Sequence, residues 1–93
     1  MRIELIYFAG CPNADRAREN VRAALEAADL GAPVEEWERD DPSAPAYVRS
    51  YSSPTVLVDG RDVTGVGATG NAASCRADGA PPVALIRQAI ARS

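Results

Sequence analysis

The chain has 93 residues, 46% hydrophobic and 25% charged, which suits one small domain over residues 1–93 and leaves no length for a second. A net charge of −3 argues against a nucleic-acid backbone or an anionic membrane surface as the partner. No apolar run approaches the about 18 residues of a membrane span, and no basic region with an apolar stretch and cleavage site opens the chain, so a cytoplasmic protein is expected.

Residues Ile3 to Phe8 are apolar at five of six positions, the exception being Glu4, and are rich in β-branched and aromatic types. They predict a central strand covered on both faces. Gly10 then turns the chain into Cys11-Pro12. Pro12 suits a first helical position because its missing N–H needs no partner there, which predicts Cys11 as the N-cap. In that place the sulfur faces free N–H groups and the positive end of the helix dipole, which favours the thiolate. This is a route to a nucleophile without histidine, and the chain has none. Ala14, Ala17, Val21, Ala24, Leu25 and Ala28 recur at helical spacing and predict a helix to about Leu30, ended by Gly31 as a left-handed C′ residue.

Pro33 to Arg39 alternates weakly around Val34 and Trp37, and its glutamates suit an edge strand that resists pairing with other chains. Asp41-Pro42-Ser43 offers a helix start, followed by a short helical segment over Ala44 to Tyr51. Ser52-Ser53-Pro54 breaks it. Thr55 to Val58 reads as a strand closed by Asp59-Gly60, a pair favoured in type I′ hairpins, so Arg61 to Thr64 should return antiparallel. Thr64 to Ala80 is glycine-rich and polar and reads as a long loop with Cys75 near its middle. Pro81-Pro82 starts a terminal helix with Val83, Ile86 and Ile90 on one face. Gly65-Val66-Gly67-Ala68-Thr69-Gly70 has approximate dinucleotide-loop spacing, but it follows a strand pair and opens no helix, which argues against that use. No cofactor is implied.

The predicted order βαβαββα, an α/β arrangement with a four-stranded mixed sheet and helices on both faces, together with Cys11-Pro12-Asn13-Ala14, Ser53-Pro54-Thr55 and Gly65, resembles the thioredoxin and glutaredoxin superfamily. The wider pattern resembles small bacterial thioredoxin-like proteins, some of which carry an alkylmercury-lyase label: Tyr7-Phe8 with Gly10-Cys11-Pro12-Asn13, then Ser53-Pro54-Thr55, then Ser74-Cys75-Arg76 and Pro81-Pro82. The resemblance implies a cis peptide before Pro54 beside a nucleophilic Cys11. It also implies a substrate groove formed by Pro12, Asn13, Ser53, Pro54 and Gly65. The chain departs from the dithiol pattern, because Ala14 stands where the second cysteine of a Cys-x-x-Cys pair would be.

Two cysteines in a cytoplasmic chain point to reactive or metal-binding thiols rather than a permanent staple. Three uses stay open. Cys11 attacks a disulfide and Cys75 resolves the intermediate, with a low-molecular-weight thiol such as glutathione as a candidate partner. Alternatively, Cys11 and Cys75 form a thiolate pair for a soft metal ion such as Cu(I) or Hg(II), or for an organomercurial. The third use is a non-catalytic binding module in which the cysteines only pack.

Overall fold

Strand β1, Ile3–Tyr7, is the centre of the molecule: its side chains from Ile3 to Ile6 are buried on both faces of the sheet. The structure is a computed structural model, and it describes residues 1–65 and 79–92. Strand β2, Val34–Glu38, runs parallel to β1 in the register Ile3 opposite Val34, with helix α1, Ala14–Ala27, as the crossover. Strand β3, Thr55–Val58, runs antiparallel to β1 on its other side, with Ile6 opposite Thr55. Strand β4, Arg61–Asp62, closes the order β2-β1-β3-β4, so β2 is an edge strand as its glutamates predict. The chain is therefore α/β with a four-stranded mixed sheet.

Alternation along β1 and β3 divides the apolar side chains between two layers. On one face Ile3, Leu5, Val56 and Val58 meet Ala17, Val21, Ala24 and Leu25 of α1 and Ile86 and Ile90 of α2, Val83–Arg92. On the other face Ile6 and Leu57 meet Ala44 and Val48, flanked by Trp37 and Tyr51. Burying one such Leu or Ile contributes roughly 1.5–3 kcal/mol. Both α-helices thus share one face. Among the described residues, two α-helices lie on one side of the sheet and a short 3₁₀ segment, Ala46–Ser50, on the other. That segment is shorter than the predicted 44–51 because Pro45 is extended, and because the Asp41 side chain accepts bonds from the backbone N and Oγ of Ser43, making a turn there.

Three predicted boundaries move. Helix α1 starts at Ala14 with Asn13 as N-cap, not at Pro12 with Cys11 as cap. The Cys11 carbonyl accepts from the Ala14 N–H at 3.2 Å, which makes one tight turn before the first α-helical bond, Ala17 N–H to the Asn13 carbonyl at 3.0 Å. At the other end Asp29, not Gly31, takes the left-handed position with φ 54°. The Leu30 N–H reaches the Leu25 carbonyl and the Asp29 N–H that of Glu26, the paired bonds of a Schellman ending. Strand β4 stops at Asp62 rather than Thr64, because the Asp62 carboxylate accepts from the Thr64 backbone N and Oγ1 and the Gly65 N–H closes on the Asp62 carbonyl. The type I′ hairpin at Asp59-Gly60 is as predicted, with φ 52° and 83°.

The predicted edge charges are largely matched within the chain. Arg2 pairs with Glu35 at 2.8 Å, and Arg18 pairs with Glu36 at 2.8 Å and Asp15 at 2.6 Å while its guanidinium lies 5.6 Å from the Tyr7 ring centre. No helix of the described residues is long and apolar enough to cross a membrane.

Candidate functional site

The site grows out of the last residue of β1. After Tyr7 the chain makes the turn Phe8-Ala9-Gly10-Cys11, closed by the Cys11 N–H on the Phe8 carbonyl at 3.2 Å. Gly10 has φ 86°, the left-handed value that the third position of a type II turn demands, and no atom would crowd a Cβ there. The glycine is needed for its backbone freedom alone. Ala9, Gly10 and Pro12 are exposed, while Cys11 is 8% exposed and disulfide-bonded. Its sulfur therefore stands one short turn ahead of α1 and not on the helix cap.

Beneath this turn lies the entry to β3. The Ser53–Pro54 peptide bond is cis, as the resemblance implied, and both residues are buried. Ser53 is 0% exposed, and its Oγ accepts from the Phe8 N–H at 3.1 Å, which joins the cis-proline segment to the end of β1 that leads to Cys11. Thr55 Oγ1 donates to the Ser52 carbonyl at 2.5 Å and bridges the same bend. Along α1, a Cβ on Gly79 would lie 4.0 Å from Asn13 Nδ2, and Asn20 Nδ2 donates to the Pro81 carbonyl at 2.9 Å. The segment entering α2 is thereby held along the first half of α1.

Of the residues expected to form the site, Cys11, Pro12 and Asn13 share one turn, and Ser53 and Pro54 adjoin it through Phe8. Gly65 has φ 81° and lines a cavity of about 620 Å³ along β4 and α2, with Arg61, Val63, Leu85 and Arg92. Cys75, with Arg76, Asp78 and most of the glycine-rich stretch, lies outside the described residues. Among the described residues no group of three or more His, Cys, Asp or Glu is placed to hold a metal ion. Of the cysteine pair expected for a soft metal, Cys11 is described and Cys75 is not.

A second polar cluster was not anticipated. Glu4 is 2% exposed in the middle of β1, where its Oε2 accepts from Trp37 Nε1 at 2.9 Å and from the Tyr47 hydroxyl, with Arg2 Nη2 at 3.6 Å. Tyr47 is 40% exposed, but partial desolvation of its hydroxyl, the hydrogen bond to Glu4 and the charge of that carboxylate push the phenol up to about 12. The signal in the sequence was Glu4 itself, one charge inside an apolar run, which in a central strand requires partners.

Compared with known proteins, the chain matches no family model, no curated protein and no solved structure.

Proposed function

We propose that the chain is a thioredoxin-like protein whose Cys11 carries out thiol–disulfide exchange. The observation that carries this reading is the joining of Cys11, disulfide-bonded in the turn between β1 and α1, to the cis Ser53–Pro54 segment through Phe8. The α/β order and the Cys11-Pro12-Asn13 and Ser53-Pro54-Thr55 motifs support the same assignment.

The reaction begins with the Cys11 thiolate, which attacks one sulfur of a substrate disulfide, forms a mixed disulfide and expels the other sulfur as a thiolate. Cys75, the other cysteine of the sequence, then attacks Cys11 as a thiolate and expels the second substrate thiolate. The substrate gains two electrons and the protein is left with one disulfide. Two equivalents of a low-molecular-weight thiol return both cysteines to the reduced state and leave as their own disulfide. The exposed Ala9, Gly10 and Pro12 flank Cys11 in sequence and leave that turn open to a disulfide from solvent.

Reduced protein treated with glutathione disulfide and quenched with acid tests the assignment by mass. Cys75→Ser is expected to accumulate a protein–glutathione adduct, wild type to pass through it to a protein disulfide, and Cys11→Ser to form no resolvable adduct on the same timescale. An adduct that forms equally fast in Cys11→Ser refutes Cys11 as the attacking sulfur.

A further inference from the structure

We infer that Ser53 is a positioning residue for Cys11, acting through two hydrogen bonds in series. This rests on the reading of Cys11 as the reacting sulfur. The β1–β3 ladder runs in the register Glu4 opposite Leu57 and Ile6 opposite Thr55. The Asp59 N–H donates to the Arg2 carbonyl at 2.8 Å, so Arg2 and Asp59 form a hydrogen-bonded pair, and every second pair onward is of that kind. Phe8 opposite Ser53 is the next such position after Ile6 opposite Thr55.

There the backbone partner is replaced. The Phe8 N–H goes to the side-chain Oγ of Ser53 at 3.1 Å. The opposite end of the ladder is closed in the same way, by the Arg2 N–H on Asp59 Oδ1 at 2.8 Å. At the Ser53 end, however, the arrangement continues: the Phe8 carbonyl takes the Cys11 N–H at 3.2 Å. Ser53 Oγ, the Phe8 peptide groups and the Cys11 N–H therefore form one chain from a fully buried hydroxyl to the backbone of the cysteine. An alanine at position 53 would keep the apolar contacts of the Cβ and remove the acceptor. The Phe8 N–H would then lose its protein partner, and the turn that carries Cys11 would lose its anchor on β3.

The test compares wild type, Ser53→Ala and, as a control, Val48→Ala, which removes buried side-chain atoms on the same sheet face without touching Phe8. Amide hydrogen exchange is read at Leu5, Phe8 and Cys11, and the equilibrium of Cys11 with glutathione is read by mass. Loss of one such bond corresponds to about three- to tenfold in an equilibrium constant. In Ser53→Ala the Phe8 and Cys11 amides are expected to exchange faster together while Leu5 keeps its protection, and the glutathione equilibrium to shift about three- to tenfold. Val48→Ala is expected to leave that equilibrium unshifted. Faster exchange at Phe8 with Cys11 and its equilibrium unchanged would overturn the inference, leaving Ser53 a strand cap, and so would an equal shift in Val48→Ala. Should Ser53→Ala not fold, wild-type exchange across low urea decides: Phe8 and Cys11 opening together, at a common free energy below that of Leu5, upholds the inference, and separate opening of the two overturns it. A wild-type Cys11 inert to glutathione disulfide refutes the exchange reading, whereas the amide data judge Ser53 independently.

Discussion

Replacing Glu4 with glutamine measures what the buried carboxylate contributes. The variant keeps the size of the side chain and one carbonyl oxygen, so Trp37 Nε1 and the Tyr47 hydroxyl retain an acceptor, but a neutral one. Bonds to a charged group contribute about 1.5–3 kcal/mol each against about 0.5–1.5 kcal/mol for neutral ones, so two exchanges cost about 2 kcal/mol. The Arg2 contact adds little, because that side chain is 53% exposed. No longer burying a charge offsets part of the loss, which leaves a destabilisation of about 1–2 kcal/mol. At about 4–8 °C per kcal/mol for a domain of this size, Tm falls by about 4–16 °C. Trp37 is the only tryptophan, so its fluorescence follows urea unfolding and reports on the cluster directly. A double-mutant cycle with Tyr47→Phe should give a coupling of about 1 kcal/mol. An unchanged urea midpoint in Glu4→Gln at constant m-value would refute the charge-assisted account.

Alkaline titration followed by phenolate absorbance should reveal one tyrosine ionising at about 12, and Tyr47→Phe should remove that step. Because this folded value lies above the ordinary 10, the phenol's contribution to stability is complete below pH 10 and is lost as pH rises from 10 through 12. A Tyr47→Phe variant whose stability falls just as steeply as wild type over that window would contradict the assignment. Gly10→Ala forces a left-handed φ on a side-chain residue and should cost about 1–2 kcal/mol, seen as a lower urea midpoint. With open space around the added methyl, an unchanged midpoint would mean that the turn relaxes to another geometry.

What could be read from the sequence was what depends on near neighbours. The apolar run Ile3 to Phe8, the Asp59-Gly60 turn and Pro81-Pro82 ahead of α2 each carry their cause within a few positions. The start of α1 was misplaced because Cys11-Pro12-Asn13-Ala14 satisfies both cap rules and a preceding tight turn, and the i to i+3 bond from Ala14 to Cys11 selects the turn. Asp29 as the left-handed residue was missed because glycine at 31 is the stronger local signal, while the Leu30-to-Leu25 and Asp29-to-Glu26 backbone bonds end α1 earlier. The partners of Glu4 lie 33 and 43 positions away, and the acceptor of the Phe8 N–H lies 45 away. No periodicity or spacing encodes such pairings; only the folded register of β1 against β2 and β3 brings them together.

The sheet is clothed unevenly, and that has a consequence for motion. One side rests on α1 and α2 through a large apolar cluster, whereas the side bearing the 3₁₀ segment is sealed by Ile6, Ala44, Val48 and Leu57 with Trp37 and Tyr51 at their margin. Free energy for partial opening scales with the apolar surface released, so the thin layer lifts at lower cost than the thick one. The segment that leads to Ser53 and Pro54 belongs to the thin layer. Loosening there would reach the cysteine turn while the helical half of the molecule stayed folded.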